Sequence, residues 1–333
     1  MQTSSALQSL KTVDEKPTIR TLTLADIPQR NKLLQYSLRD SLTPGYTLPY
    51  AIAAEYPLVL HPRYLHRSIG VFSDEQELIA HANVLGRELY QNQEVLTKIA
   101  LIGNVATKPS MRGRGYMRML MEYVWEHLLA EGYAAAILWT DNLNLYTGLG
   151  YTPFCRELRY SLTADSFAQW PAAGRLQLMD ASTYSPALHQ QLLALRPEST
   201  FSLERSYQEQ LGLLTIPATY CYVYYDAQGV LKSYAVLGRG FDMRGVVHEW
   251  GALQCRDLLL LIAQMFRQHE GGLAQSLLLT PCNLPEVWTT ELLAVSSKVE
   301  EHPSAFACFR PQSTKLRDLL EEEYFFIWGL DSI

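Results

Sequence analysis

The chain lacks long hydrophobic runs, paired cysteines and excess positive charge. The apolar stretch at residues 258–262 is far shorter than the roughly 20 residues that cross a bilayer, so no membrane partner is expected. The five cysteines are scattered without a Cys-x-x-Cys pair, which predicts reduced thiols in a cytoplasmic protein and no metal site. The polar N-terminal 17 residues lack the apolar core of a signal peptide. A net charge of −6 argues against nucleic acid as the main partner.

Length and composition instead describe a globular protein with more than one core. A chain of 333 residues is too long for one ordinary core, so two domains are the default expectation. Its 48% hydrophobic and 19% charged residues are typical of a soluble protein. The negative net charge fits a neutral or cationic amine substrate better than an anionic one. Whether the protein is a monomer or a homo-oligomer stays open.

The most informative stretch is a glycine-containing, doubly basic loop between a strand and a helix. An apolar run before the loop predicts a buried strand, and residues 116–129 carry apolar side chains at helical spacing. Gly113 and Gly115 let the backbone turn its amides inward, while Arg112 and Arg114 add positive charge. Because free N–H groups at a helix N-terminus bind anions, this loop predicts a pyrophosphate site.

Two common phosphate loops are excluded, and a third is matched. The loop has no Gly-Lys-Ser/Thr of a Walker loop and lacks the third glycine of the dinucleotide pattern Gly-x-Gly-x-x-Gly. The spacing Arg112-x-x-Gly115-x-Met117, after a strand ending in Val-x-x-x-Pro, resembles the acetyl-coenzyme A loop of the Gcn5-related N-acetyltransferases. Met117 replaces the small last residue of that motif. The full string 105–121 resembles the enhanced-intracellular-survival branch, which is built from tandem acetyltransferase domains.

Two flanking features strengthen the resemblance. Residues 18–24 alternate as a strand, and Asp26 and Pro28 then open a helix, as at the start of superfamily members. Residues 145–151 read Leu-Tyr-x-x-Leu-Gly-Tyr, which resembles the superfamily signature Leu-Tyr-x-x-Leu-Gly-Phe. This second signature follows the loop at the expected distance.

The resemblance implies a fold, a cosubstrate and an acceptor. The implied fold class is α/β (α+β): two tandem acetyltransferase-like domains, each a mixed, mostly antiparallel sheet flanked by helices, with a splayed parallel pair at the coenzyme site. The cosubstrate is acetyl-coenzyme A, and the acceptor is a primary amine of a small molecule or peptide. The predicted coenzyme-binding residues are Val105, Ala106, Thr107, Arg112, Gly113, Arg114, Gly115, Tyr116, Met117 and Asn142.

Acetyl transfer from a thioester to an amine needs an oxyanion donor, a general acid and a base. A backbone N–H near Val105 is the candidate oxyanion donor. Tyr146, if placed as in the family, is the candidate acid, since an unperturbed pKa of about 10 keeps a tyrosine protonated at neutral pH. No single base is evident; the resembled branch brings its terminal carboxylate to the active site, which nominates Ile333. The region that walls the acceptor pocket in the family nominates three substrate-binding residues, Tyr46, Tyr50 and Tyr56.

An internal repeat indicates the second domain. Residues 236–239 repeat the Val-Leu-Gly-Arg of residues 84–87, and the surrounding strand and helix patterns recur in the same order. The second copy lacks the glycine-containing loop, so we expect it to bind no coenzyme. The predicted division is a flexible tail at 1–17, a catalytic domain at 18–163, a linker at 164–174 and a degenerate second domain at 175–333 with a docked C-terminal segment.

Three functions stay open at this stage. The first is an acetyl-coenzyme A-dependent N-acetyltransferase, which the presence of Tyr146 favours. The second is a non-catalytic coenzyme A-binding or interaction protein with the same fold, and the third is an acyltransferase for longer acyl groups. His81, His248 and Glu249 could take part in catalysis, but structural roles are the simpler interpretation.

Overall fold

The first half of the chain builds one end of a thirteen-stranded sheet. The computed structural model describes residues 17–40, 49–309 and 314–331. Five strands follow one another across this end of the sheet: β1 Thr18–Thr21, β2 Ser68–Phe72, β3 Leu78–Gln91, β4 Glu94–Thr107 and β5 Tyr133–Leu138. Neighbouring strands are antiparallel except for β4 and β5, which run parallel.

Helices cover both faces of these five strands: α1 Ile27–Gln35, α2 Pro57–Leu60, α3 Tyr116–Ala130 and α4 Asn144–Thr147. Leu33 and Leu34 of α1 are buried on one face. Leu120 and Val124 of α3 are buried on the other, because the apolar residues of α3 recur at helical spacing. Gly132, with φ +84°, follows the end of α3 in the left-handed conformation that commonly stops a helix.

The second half repeats this arrangement. The first half ends with β6 Thr152–Thr163. The strands of the second half are β7 Arg175–Met179, β8 Phe201–Leu203, β9 Tyr220–Tyr225, β10 Leu231–Leu237, β11 Val246–Ala252, β12 Gln275–Pro281 and β13 Ser296–Phe309. Its helices are α5 Pro186–Ala194, α6 Tyr207–Leu213, α7 Cys255–Gln268, α8 Glu286–Val295 and α9 Thr314–Glu322. The pair β11 and β12 is parallel, like β4 and β5, and α7 connects its two strands as α3 connects the first pair.

The two halves exchange strands where they meet. β13 comes from the end of the second half but lies between β5 and β6 of the first. β6 in turn lies between β13 and β12. The sheet beside β5 is therefore completed by a strand from the far end of the sequence, which local sequence patterns did not predict.

Three apolar cores hold this sheet in place. One lies under α3, a second lies under α7, and the third lies between the two halves. Phe325, Ile327 and Leu330, in the segment after α9, are buried in the central core. No helix of the described residues is long and apolar enough to span a membrane. The predicted fold class, α/β with a mixed sheet flanked by helices, is confirmed.

Candidate functional site

The parallel pair β4 and β5 separates on its way to the loop. The two strands pair as far as Ile102 and Leu138, where β5 ends, while β4 continues to Thr107. The Lys108 N–H donates to the Ile79 carbonyl on β3 at 2.8 Å. Backbone groups alternate in direction along a strand, so the N–H groups of residues 107 and 105, one and three positions before Lys108, point away from β3. The final stretch of β4 thus offers backbone groups on the side where β5 is no longer its neighbour.

A bulge in β4 shapes this open edge. The pairing of β3 with β4 shifts between His81 and Asn83, and Asn104, opposite the shift, has φ +51°. The His81 ring is fully buried, and its Nδ1 lies 3.0 Å from the Asn104 carbonyl oxygen. Burial lowers the pKa of His81 to about 3, so the ring is neutral and Nδ1 donates to that carbonyl. The geometry gives His81 a structural role, as the simpler interpretation of the sequence expected.

The loop after β4 is open and exposed. A short 3₁₀ turn, Pro109–Met111, leads into Gly113 with φ +77° and Gly115 with φ +86°, the residue before α3. A Cβ atom at either glycine would meet nothing within 4 Å. The glycines are therefore needed for the left-handed backbone and not to avoid a protein neighbour.

The amides of this loop are free of protein partners. The Arg112 N–H closes the 3₁₀ turn on the Pro109 carbonyl at 3.3 Å. For residues 113–117, no N–H group donates to an acceptor within the described chain. Such a row of unpaired donors at the start of a 15-residue helix has the chemistry that favours an anion.

The loop arginines differ in how far they are fixed. The Arg112 Nε donates to the Thr107 carbonyl at 3.2 Å, so its side chain folds back over the end of β4. Arg114 is exposed, and among the described residues its guanidinium has no partner. The loop therefore presents one anchored and one unengaged positive charge beside the amides.

Tyr146 lies on α4, beside the same core that packs under α3. Its side chain is 7% exposed and meets Tyr151 edge-on, with ring centroids 5.8 Å apart. Its hydroxyl has no hydrogen-bond partner among the residues that the structure describes. Burial raises the pKa of Tyr146 to about 12, so the phenol stays protonated at neutral pH. Asn142, two residues before α4, is exposed, and its N–H donates to the Thr140 hydroxyl at 3.0 Å.

The second half contributes to the support of this tyrosine. Cys308 of β13 is buried beneath the turn after α4, and its Sγ lies 3.7 Å from the Leu149 carbonyl oxygen. Cys308, Tyr146 and Tyr151 belong to one apolar cluster. Sequence reasoning missed this contact because β13 reaches the site only through the strand exchange.

The proposed substrate side lies in part outside the described residues. Tyr46 and Ile333 both fall there; Asp331 is the last residue described. Tyr50 is half-buried near Glu55, and burial together with that carboxylate raises its pKa to about 12. Tyr56 is buried, and its hydroxyl donates to Asp242 of the second half at 2.8 Å.

This Tyr56 contact belongs to a polar cluster between the halves. Arg39 pairs with Glu55, and its Nη2 lies 2.9 Å from an Asp242 oxygen. A Cβ at Gly240 would lie 2.5 Å from a Glu55 oxygen, so the loop after β10 approaches the first half closely. The second half thus borders the region that the sequence assigned to the acceptor.

The counterpart position in the second half is filled by the chain itself. Trp250 of β11 donates from Nε1 to the Leu279 carbonyl of β12 at 2.8 Å and meets Trp328 edge-on at 5.7 Å. Gly329 lies so close to His248 that a Cβ there would come within 2.6 Å of the ring. Burial lowers the pKa of His248 to about 4, and its Nε2 contacts the Gly238 carbonyl oxygen at 2.9 Å. That the second half binds no coenzyme stays a prediction.

Glu249, next along β11, is also a structural residue. It is buried, and both of its oxygens accept hydrogen bonds from Arg205, at 2.6 and 2.7 Å. Arg196 adds a further contact at 2.8 Å. Burial alone would raise the pKa of Glu249, but the two arginines outweigh it and hold the pKa at about 2.

Comparison with known proteins gives the first half a family. Residues 18–154 match the family model of the acetyltransferase (GNAT) domain. This part of the chain is similar to the acetyltransferase domains of the GNAT family. The match covers the strands β1–β5, the open loop, Tyr146 and the start of β6. The protein is accordingly an acetyltransferase, a transferase that moves acyl groups.

Solved structures share this fold across both halves at low sequence identity. A GCN5-related N-acetyltransferase from Kribbella flavida matches with a TM-score of 0.61 and 17% identity, over 88% of this chain and 71% of its own. A probable N-acyltransferase from Enterococcus faecalis V583 has a TM-score of 0.66 at 16% identity, over 89% and 72%. Eis1 from Mycobacterium abscessus has a TM-score of 0.55 at 17% identity, over 88% and 74%. No curated protein matches the chain by sequence.

The GNAT fold implies acetyl-coenzyme A, and the loop fits its phosphates. Unpaired amides at residues 113–117 and the exposed Arg114 provide donors and positive charge. The open space around Gly113 and Gly115 leaves room for a ligand against the backbone. The donor set has the chemistry of a pyrophosphate site.

Proposed function

We propose that this protein transfers the acetyl group of acetyl-coenzyme A to a primary amine of a small molecule or peptide, with Tyr146 as general acid. One observation carries the proposal. Among the described residues, no protein group accepts from the N–H groups of residues 113–117, which lie at the start of α3. A folded protein seldom leaves such a row of donors unpaired unless water or a ligand takes them.

The residues after β4 would hold the cosubstrate. The amides of residues 113–117, with Arg112 and Arg114, would bind its pyrophosphate. Val105, Ala106 and Thr107 would offer their backbone groups to its amide-bearing arm as a strand edge offers them to an added strand. Asn142 is exposed at the start of the α4 turn and remains a candidate contact.

Two groups of this chain would act on the reacting atoms. Acetyl-coenzyme A supplies the acetyl thioester. The Val105 N–H, directed away from β3, would donate to the oxygen of the tetrahedral intermediate. The Tyr146 hydroxyl, raised in pKa to about 12 and without a protein partner in the described chain, would hold a proton for the leaving sulfur.

The proposal also names residues that would border the acceptor amine and a group that would act as the general base. Tyr50 and Tyr56 lie in the segment that would border the amine, together with the Asp242 loop of the second half. Tyr46 and the terminal carboxylate of Ile333 stay predictions outside the described residues. Asp331, two residues before the end, is buried beside Arg205 in the second half.

We further propose that the chain is a tandem acetyltransferase of the enhanced-intracellular-survival kind. The repeated parallel pair, the repeated connecting helix and the fold similarity to Eis1 support this. The division into a catalytic domain at 18–163 and a second domain at 175–333 stays part of the proposal, as does a cytoplasmic location. The exchange of β6 and β13 makes each half depend on the other.

A thiol-release assay tests the function. The full chain is incubated with acetyl-coenzyme A and a panel of primary amines, and coenzyme binding is measured in parallel by calorimetry. We expect thiol release with at least one amine class. Coenzyme binding without release for any amine would overturn the enzymatic proposal in favour of a non-catalytic coenzyme-binding protein. Faster release with longer acyl thioesters would instead revise the acyl group.

A further inference from the structure

The helix α3, which follows the coenzyme loop, also contacts the turn that carries Tyr146. Arg118 lies in the first turn of α3, and its Nη1 donates to the Gly148 carbonyl at 3.0 Å. Gly148 is the residue that caps the C-terminus of α4. A carbonyl at that position has no partner within its own helix, so it is available to accept from a guanidinium.

The contact is close and depends on the glycine. A Cβ at Gly148 would lie 2.5 Å from the Arg118 Nη2. The backbone at Gly148, with φ −66° and ψ −6°, is one that any residue adopts. A side chain at Gly148 would therefore displace the guanidinium, whereas the backbone there does not itself need glycine.

The turn after Gly148 fixes Tyr146 in the same unit. The Leu149 N–H donates to the Tyr146 carbonyl at 2.9 Å, and the Tyr151 N–H contacts the same carbonyl oxygen at 3.3 Å. A displacement of Gly148 thus moves the backbone of Tyr146. Among the described residues Arg118 has one other partner, Glu122 at 3.4 Å, and both of these Arg118 contacts are exposed.

We propose that Arg118 is a positioning residue, which holds the Tyr146 turn in register with the amides of the coenzyme loop. This rests on the proposed role of Tyr146. The amides and the acid act on two ends of one cosubstrate, so their relative placement decides the rate. Small misplacements of reacting groups cost large factors in rate because the reacting atoms must meet in a near-attack geometry.

Matched variants test the proposal in the full chain. Arg118→Ala and Gly148→Ala should each lower kcat about tenfold, since either one separates the guanidinium from the carbonyl. The double variant should be no worse than either single one, because both remove the same contact. The Kd for coenzyme A, measured by calorimetry, should stay unchanged in all three. Glu122→Gln, which removes only the exposed ion pair, should leave kcat unchanged.

Two results would overturn it, and both differ from a failure of the proposed function. A weaker Kd in Arg118→Ala with unchanged kcat would make Arg118 a coenzyme ligand. An equal further loss of kcat when Arg118→Ala is added to Tyr146→Phe would show that Arg118 does not act through the tyrosine. If Tyr146→Phe alone keeps full kcat, the proposed acid is wrong whatever Arg118 does.

Discussion

The Nδ1 of His81 lies 3.0 Å from the carbonyl oxygen of Asn104 and joins β3 to the left-handed residue of the β4 bulge. The contact is fully buried on the histidine side. It holds in place the bend after which β4 presents Val105 and Thr107 to the open side. The structure therefore places an uncharged ring behind the strand edge that we propose for the coenzyme arm.

This buried ring makes stability depend on pH. The pKa of His81 is about 3 and that of His248 about 4 in the folded protein, both lowered by burial, against roughly 6.5 in an unfolded chain. Below pH of about 6.5 the two histidines are therefore protonated in the unfolded state but stay neutral in the folded state. The free energy of unfolding then falls by about 1.4 kcal/mol for each histidine with each pH unit of acidification. Urea denaturation at a series of pH values between 4 and 7 measures the slope.

One variant measures the contribution of His81 to the pH dependence of stability. His81→Asn can still donate to the Asn104 carbonyl but cannot titrate, so its slope should fall by about one proton, or 1.4 kcal/mol per pH unit. The exposed His66→Asn is the matched control for the change of side chain. An unaltered slope in His81→Asn would mean that His81 is protonated in the folded state.

Tyr146→Phe should separate chemistry from folding. The hydroxyl has no partner in the described chain, so its removal leaves the packing of the ring on Tyr151 intact. We expect an unchanged melting temperature, an unchanged Kd for coenzyme A and a kcat lower by about 10²-fold, the usual share of a general acid. Steady-state kinetics with calorimetry on the same samples measure all three. A kcat equal to that of the unchanged protein would exclude Tyr146 as the acid.

Glu249→Gln should lower the stability of the protein and leave its affinity for coenzyme A unchanged. It leaves the buried Arg205 and Arg196 without their carboxylate, and breaking a buried ion pair on one side costs about 3–5 kcal/mol. We expect a lower free energy of unfolding in urea, with an unchanged Kd for coenzyme A at temperatures where the variant is folded. If stability is retained while turnover is lost, Glu249 takes part in catalysis instead.

Local sequence patterns predicted the parts of the fold that depend on neighbouring residues. The helix predicted at 116–129 is α3, Tyr116–Ala130, and the strands of the repeat fall close to their expected places, because alternation and helical spacing are local properties. The open loop follows from the same reasoning, since its glycines and the following helix are adjacent in the chain. The prediction of an acetyltransferase, which the family model over residues 18–154 supports, rests on these patterns.

The unpredicted features all involve residues distant in sequence. β13 lies beside β5, Cys308 lies beneath the Tyr151 turn, and Asp242 contacts Tyr56, each through the meeting of the two halves. The Arg118 contact with Gly148 was not predicted for a different reason. Both residues lie within the recognised motifs, but a side-chain contact between residues 30 positions apart leaves no periodic pattern in the sequence. The helices α6 and α8 and the short strand β8 also escaped the sequence patterns.

The most direct test of the account is the binding of coenzyme A to Gly115→Glu. The substitution puts a carboxylate among the free amides, and Gly132→Glu at the other end of α3 is the matched control. Both glycines have positive φ, +86° and +84°, and neither Cβ would meet a neighbour within 4 Å, so the backbone strain is the same. By calorimetry we predict loss of coenzyme A binding in Gly115→Glu and a normal Kd in Gly132→Glu. Equal affinity in both variants would contradict the assignment of this loop to the coenzyme.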